Sequence, residues 1–189
     1  ENDALTAIDT TITISDPDDT DIDSATVTIN GNYQNGEDVL AFVDTVNIIG
    51  SWDAGTGTLS LNGADSLTNY RDALRAITYQ NSSDTPNTQN RTVDFVVNDG
   101  DVDSPTASST VTVTAVNDAP AVTAGGTLAY TEGDVASVID SSITVTDVES
   151  SDIESATVTV SANYQNGEDI LAFTDTATIS GSWDSGGGV

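Results

Sequence analysis

The stretch ATVTINGNYQNGEDVLAF at residues 25–42 returns as ATVTVSANYQNGEDILAF at residues 156–173, an offset of 131 residues. The likeness continues without a gap over residues 1–58 and 132–189, where about 33 of 58 aligned positions are identical. A period of this length is too long for one turn of a solenoid, and it suits a complete β-sandwich domain. We therefore expect a tandem array of domains, of which this chain contains about one and a half.

Apolar residues alternate with threonine in many short runs, such as TITIS at 11–15 and TVTVTAV at 110–116. This period of two is typical of half-buried strands, and threonine suits a pleated surface. The sequence therefore predicts an all-β protein. Strands are expected at 11–15, 25–30, 38–43, 46–52, 57–62, 91–97 and 109–116, and again at 122–130, 141–147 and 155–161.

One segment departs from the β pattern. In SLTNYRDALRAIT at 66–78, the apolar residues Leu67, Tyr70, Leu74 and Ile77 follow helical spacing. Ser66 or Thr68 can cap the amino end, so we predict one short helix per repeat. Arg71 and Arg75 lie one turn apart on it, and we expect them to meet nearby carboxylates rather than to form an anion site.

The composition excludes several classes of function. The chain has no His, Cys or Met, and 31 acidic residues against 3 arginines give a formal net charge of -28. Without His and Cys there is no imidazole base, no thiolate nucleophile and no His/Cys metal site. A chain with so few cations does not bind nucleic acid or anionic lipid by charge, and it has no apolar run of membrane-spanning length.

The repeat boundary is expected within AVNDAPAV at 115–122, where Pro120 blocks further ladder pairing. Residues 1–118 then form a repeat that lacks its first strand, and residues 119–189 form the amino-terminal half of a second repeat. The missing strands of the second repeat belong either to a longer protein or to another chain that donates them.

Several blocks occur in a specific order: NYQNGEDVLAF, GSWDAGTGTLSLNG, LTNYRDALRAITYQNSSDTPNTQNRTVDFVVNDGD and TVTAVNDAP. In this order they resemble the cadherin-like repeats of giant bacterial surface proteins and RTX-type adhesins. The resemblance covers essentially the whole chain. It implies Ig-like Greek-key β-sandwiches that are secreted, stiffened by Ca²⁺, and used for extension or adhesion at the cell surface.

The carboxylates gather in connections, with DPDDTDID at 16–23 and DVESSDIE at 147–154. Grouped hard oxygen ligands are what Ca²⁺ requires. The strand order that the resemblance implies places one site at the junction of the two repeats and a second site at the opposite end of the first repeat. The junction site would use Asn117, Asp118, Asp147 and Glu149 with Glu1 and Asp3, and with Glu37, Asp38 or Asp84 as additions.

The second site would bring Asp99 and Asp101 of NDGDVD beside Asp16, Asp18 and Asp21, while Glu132 and Asp134 would face the following repeat. The alternative interpretation is that these loops are solvated acidic surface, suited to solubility or to a salty habitat.

We expect a structural, non-enzymatic function as a Ca²⁺-stabilised extender of an extracellular surface adhesin, with neighbouring repeats as its partners. The alternatives are a module that binds polysaccharide or like molecules, and a filament subunit assembled by strand exchange. Tyr33 and Trp52, with their counterparts Tyr164 and Trp183, are expected to support turns rather than to stack on sugars.

Overall fold

A computed structural model describes residues 4–189. The chain divides into two compact units, Glu1–Asp118 and Ala119–Val189. In the first unit the elements are, in chain order, β1 (Thr6–Ala7), β2 (Asp21–Gly31), β3 (Asp38–Ala41), β4 (Ile49–Asp53), β5 (Thr58–Ser66), α1 (Leu67–Ala76), β6 (Thr78–Asn81), β7 (Arg91–Asn98) and β8 (Ala107–Val111). In the second unit they are β9 (Ala121–Thr123) and β10 (Thr144–Thr146).

The strands of the first unit form two antiparallel sheets that pack as a sandwich, which confirms the all-β prediction. One sheet has the order β1-β6-β3 and the other the order β4-β5-β2-β7-β8. Strand β2 lies at the centre of the larger sheet, where Val27 pairs with Leu59 on one side and with Phe95 on the other. Val27 is fully buried, as expected for the inward face of a central strand.

The predicted helix is present as α1, and Ser66 is its amino-terminal cap. The Ser66 hydroxyl accepts a hydrogen bond from the Asn69 amide at 3.3 Å, which satisfies one of the free N–H groups of the first turn. Tyr70 and Leu74 are buried in the core between the sheets, and Ile77 ends the helix in an extended conformation. In the described residues no helix is long and apolar enough to cross a membrane.

The first unit differs from the predicted strands in three places. Residues 11–15 are not assigned to a strand, although Ile12 and Ile14 pack against the core. The short strands β1 and β6 were not predicted; β6 pairs with both β1 and β3.

The second unit repeats the sequence of the first without repeating its sheet. Residues 155–161, predicted as a strand, are not in one, and Val158 is 62% exposed whereas its counterpart Val27 is 0% exposed. In the first unit β2 is held between β5 and β7. The sequence of residues 59–116 has no second copy in this chain, so residues 155–161 have no such strands to pair with.

Local turns are nevertheless the same in both units. Asn32 and Asn163 both have φ of 57°. The rings of Tyr33 and Trp52 meet edge to face at 6.2 Å, and those of Tyr164 and Trp183 do so at 6.0 Å. These rings support the turns, which agrees with the expected structural role.

Candidate cation site

The turn that precedes β2 gathers three carboxylates. The Asp16 carboxylate accepts hydrogen bonds from the backbone amides of Asp18 at 3.1 Å and Asp19 at 3.0 Å, so the chain folds back over it. As a result Asp16, Asp18 and Asp19 each present a carboxylate oxygen, and these oxygens all lie within 4.8 Å of one another. Asp18 and Asp19 are exposed and Asp16 is half-buried, so the group is open to solvent.

A second acidic turn, at residues 98–103 after β7, lies close to the first. The Asp99 carboxylate accepts hydrogen bonds from the amides of Asp101 and Val102, both at 2.8 Å. Gly100 adopts φ of +105°, and a Cβ on it would lie 2.9 Å from Asp23 Oδ2 on β2. The positive φ therefore favours glycine at this turn, and a larger residue would also displace the Asp23 side chain.

The charges of the two turns act on Asp19. Desolvation raises the pKa of Asp19, and repulsion from Asp16, Asp99, Asp18 and Asp101 raises it further. The pKa values of Asp16 and Asp99 are lowered instead, chiefly because backbone amides donate hydrogen bonds to them. Hydrogen bonds from the amides therefore favour the charged form of Asp16 and Asp99. Desolvation and neighbouring charges disfavour the charged form of Asp19.

This arrangement brings together several residues of the predicted second site. Asp16 and Asp18 lie in the group of three, and Asp99 and Asp101 are near enough to influence Asp19. Asp21 begins β2 and pairs with Ser66 of β5. Asp19 was missed as a ligand candidate, although its position inside DPDDTDID signalled it.

The corresponding turn of the second unit carries less charge. The Asp147 carboxylate accepts hydrogen bonds from the amides of Glu149 at 3.0 Å and Ser150 at 2.7 Å, which repeats the Asp16 turn. Ser150 occupies the place of Asp19, so the third carboxylate is missing. Among the described residues, only Asp16, Asp18 and Asp19 form an acidic group of this kind.

The predicted junction site stays a prediction. Glu1 and Asp3 lie outside the described residues. The Asn117 side chain donates a hydrogen bond to the Asp118 carbonyl at 2.7 Å, and Glu132 is exposed beside the turn closed by Asp134 and Thr131.

Asp38, suggested as an additional ligand, has a different role. It is buried and accepts hydrogen bonds from Arg91, Tyr79, Asn81 and the Gln34 amide. Burial raises the pKa of Asp38, but these four donors outweigh burial, so the pKa lies below its ordinary value. Neighbouring Glu37 places its Oε2 atom out of solvent without a hydrogen-bond partner.

Arg91 is the buried cation that sequence reasoning missed. Its guanidinium is fully buried and contacts Asp38 at 2.8 Å. The signal was available: Arg91 occupies the same alternate positions of β7 as the buried Val93 and Phe95. An arginine at an inward position needs a buried carboxylate partner.

Both helix arginines lie near carboxylates, as expected. Arg71 pairs with Asp72 at 2.7 Å on the surface. Arg75 donates to the backbone carbonyl of Ile12 at 2.8 Å. Hydrogen bonds from Thr11 and Ser109 lower the pKa of Asp9, and the charge of Arg75 adds to this effect.

Comparison with known proteins gives a partial likeness to a surface protein. Halomucin from Haloquadratum walsbyi (strain DSM 16790 / HBSQ001) is 38% identical over 82 residues, which cover 41% of this chain and 1% of halomucin. No family model and no solved structure matches the chain. The resemblance to cadherin-like repeats therefore stays a prediction.

Proposed function

We propose that this chain is a structural repeat of a long extracellular surface protein and that Ca²⁺ stabilises it at the acidic turns of the first unit. The proposal assigns the chain no catalytic role. Its expected partners are neighbouring repeats of the same protein.

The observation that carries the proposal is the convergence of carboxylates on one end of the sandwich. Asp16, Asp18 and Asp19 each offer a carboxylate oxygen, and these oxygens lie within 4.8 Å of one another. Desolvation raises the pKa of Asp19, and the charges of neighbouring carboxylates, including Asp99 and Asp101 of the facing turn, raise it further. A cation bound here would remove this repulsion. Ca²⁺ accepts six to eight oxygens in flexible geometry, whereas Mg²⁺ demands a compact octahedron and keeps its waters. An open group of acidic side chains therefore suits Ca²⁺ better.

The extracellular setting is supported by the partial likeness to halomucin. The matched segment is about one hundredth of halomucin, which is a large archaeal surface protein. A net charge of -28 opposes the compact state by self-repulsion, and dissolved salt or bound cations relieve it. We infer that the repeat works in a medium rich in cations.

The test is thermal unfolding of the full chain after treatment with a chelator, followed by additions of CaCl₂, MgCl₂ or NaCl at matched ionic strength. We expect CaCl₂ to raise the midpoint above the NaCl series and to saturate at about 10⁻⁴–10⁻³ M, the range of extracellular calcium modules. The double variant Asp18→Asn, Asp19→Asn should lose this extra shift.

A charge-matched control keeps the test specific. The double variant Asp152→Asn, Glu168→Gln also removes two charges, but from exposed positions of the second unit. It should keep the calcium response. Equal midpoints in CaCl₂ and NaCl, or equal losses in both double variants, would leave the acidic turns as solvated surface and overturn the proposal.

A second candidate function, carbohydrate binding, is favoured by one cavity of about 420 Å³ beside α1. The half-buried Phe42 and the exposed Val43 and Val46 line one part of it, and Asp65 and Asn69 line another. Apolar surface beside fixed polar groups is typical of small-ligand sites. A glycan array tests this function, since a purely structural repeat would bind no sugar.

A further inference from the structure

Four asparagines of this chain are followed directly by glycine, at residues 30–31, 35–36, 62–63 and 166–167. Asparagine is a thermolabile residue, and glycine after it removes the side chain that would otherwise hinder attack by the next backbone nitrogen. That nitrogen can attack the carbonyl carbon of the asparagine side chain and expel ammonia. In a folded protein the attack requires a backbone that is free to rotate between the two residues.

The pair Asn30-Gly31 is fixed at the end of β2. The Asn30 side-chain amide donates a hydrogen bond to Asp94 at 2.8 Å. Gly31 lies opposite Thr92 of β7, and a Cβ on Gly31 would lie 2.9 Å from Thr92 Oγ1. Both the side-chain amide and the backbone are therefore held, and the attack requires β2 to separate from β7.

The pair Asn62-Gly63 is fixed within β5. Asn62 lies opposite Ser24 of β2 on one side and opposite Ile49 of β4 on the other. A Cβ on Gly63 would lie 2.0 Å from the Asn47 carbonyl oxygen, so the backbone is closely packed there. The Asn62 side chain is exposed, but exposure is not sufficient, because the backbone cannot rotate without unpairing a central part of the sheet.

The pair Asn35-Gly36 lies in the turn between β2 and β3 and has no such restraint. Both residues are exposed, and no described residue makes a hydrogen bond to the Asn35 side chain or to the Gly36 amide. Gly36 has φ of +90°, and nothing lies within 4 Å of a Cβ on it. The same turn recurs at Asn166-Gly167, where φ of the glycine is +88° and the space is equally open.

We propose that Asn35 is a site of spontaneous deamidation through a cyclic imide with Gly36, and that Asn166 is its counterpart in the second unit. The Gly36 nitrogen gives its proton to hydroxide and forms a bond to Asn35 Cγ. The bond from Cγ to Nδ2 then breaks, and Nδ2 leaves as ammonia with a proton from water.

Water then opens the imide ring in one of two ways. Cleavage of the new bond between Cγ and the Gly36 nitrogen gives aspartate at residue 35. Cleavage of the original peptide bond gives isoaspartate, in which the main chain runs through the former side chain. Either route consumes one water and releases one ammonia in total.

The products would disturb a turn that is linked to the buried ion pair. The Gln34 amide donates to the Asp38 carboxylate at 2.8 Å, and the Gln34 carbonyl accepts from the amides of Glu37 at 3.2 Å and Asp38 at 2.9 Å. Isoaspartate at residue 35 inserts a methylene into the main chain between these groups. Both products also add a negative charge to a chain of net charge -28. The isoaspartate form should therefore be the less stable product.

This inference concerns the chemistry of one turn and stands whether or not the acidic turns bind Ca²⁺. Every hydrogen bond named for the turn comes from residues 34–38 of the first unit. The second unit holds its copy in the same way, since the Gln165 carbonyl accepts from the amides of Glu168 at 3.1 Å and Asp169 at 3.0 Å.

The test is prolonged incubation of the full chain at mildly alkaline pH, with one sample folded in salt-containing buffer and one unfolded in urea. Peptide mapping with electron-transfer tandem mass spectrometry distinguishes asparagine, aspartate and isoaspartate at each residue. In the folded sample Asn35 and Asn166 should convert, and Asn30 and Asn62 should convert more than about tenfold more slowly, because they react only from locally opened forms.

The urea sample is the matched control, since all four pairs should convert there at similar rates. Circular dichroism of the incubated samples verifies that the sheets are intact in buffer and lost in urea. Equal rates at the four pairs in the folded chain would overturn the proposal. An Asn35 that stays intact in the folded chain while it converts in urea would also overturn it.

The variant Asn35→Gln tests the consequence for stability, because its longer side chain would have to close a larger ring. Incubation should lower the urea midpoint of the wild-type first unit and leave that of Asn35→Gln nearly unchanged. Asn35→Asp, measured without incubation, gives the effect of the charge alone and should lower the midpoint less than incubation does. An equal loss in incubated wild type and incubated Asn35→Gln would show that residue 35 does not control the stability of the turn.

Discussion

The guanidinium of Arg91 donates to the carboxylate of Asp38 at 2.8 Å, and neither side chain is exposed to solvent. Tyr79 and Asn81 of β6 donate to the same carboxylate at 2.6 Å and 2.7 Å. Arg91 also donates to the Asn87 carbonyl at 2.8 Å. These hydrogen bonds thus join β7 of the larger sheet to β3 and β6 of the smaller sheet.

Replacing Arg91 by Met should strongly destabilise the first unit, because the Asp38 carboxylate would remain buried without its cation. Removal of one partner of a buried pair costs about 3–5 kcal/mol. Urea denaturation of the full chain measures the loss. The matched control is Arg71→Met, which breaks the surface pair with Asp72 and should cost less than about 1 kcal/mol. Similar losses in the two variants would contradict the assignment of Arg91.

The Asp38 pair also predicts a dependence on pH. The pKa of Asp38 in the folded chain lies below its ordinary value of about 3.9. The pair therefore stabilises the fold above that pH, and the contribution is lost as pH falls through the folded pKa. Wild type should therefore exceed Asp38→Asn in stability near neutral pH, and the difference should narrow below about pH 4. Chemical denaturation of both chains from pH 7 to strongly acidic pH measures this. A constant difference would show that Asp38 does not titrate as proposed.

Substitution of Asp19 should separate repulsion from cation binding. Since desolvation and neighbouring carboxylates raise the pKa of Asp19, its charge opposes folding at neutral pH when no cation is bound. Asp19→Asn should raise the midpoint of thermal unfolding in chelator at low salt and reduce the added effect of CaCl₂. Asp152→Asn, at an exposed position of the second unit, should change neither. A lower midpoint for Asp19→Asn in chelator would contradict the repulsion.

Gly63 and Gly36 form a matched pair for a test of backbone packing. Both have positive φ, of +120° and +90°, but a Cβ on Gly63 would lie 2.0 Å from the Asn47 carbonyl oxygen, whereas nothing lies within 4 Å of a Cβ on Gly36. Gly36→Ala should cost about 1–2 kcal/mol of backbone strain. Gly63→Ala should cost clearly more, because backbone must move. Equal losses in thermal unfolding would contradict the close approach at Gly63.

The sequence predicted what depends on near neighbours along the chain. Ser66 and the spacing of Tyr70 and Leu74 were sufficient for the helix, and alternation was sufficient for β2 and β7. The sequence-based prediction failed where a distant partner decides whether a segment forms a strand. Residues 155–161 have the pattern of β2 but lack β5 and β7, and residues 11–15 have the pattern of β10 but lack β9 as a partner.

In the candidate site, too, contacts between near neighbours were predictable and contacts between distant residues were not. The Asp16 turn follows from local hydrogen bonds, so its acidic group was predictable from DPDDTDID. The pairing of Asp38 with Arg91 joins residues 53 positions apart, and no local pattern links them. Because this pairing was not visible in the sequence, Asp38 was suggested as a cation ligand. The inward position of Arg91 on β7 was the one signal that Asp38 has a buried partner.

The contact between Tyr164 and Trp183 forms in the second unit although the sheet around its counterpart is missing. The ring contact therefore does not depend on the strands that surround Tyr33 and Trp52 in the first unit. Such local turns matter in a tandem array, because similar adjacent domains can exchange strands and misfold. A turn that its own residues hold keeps each segment in its own register.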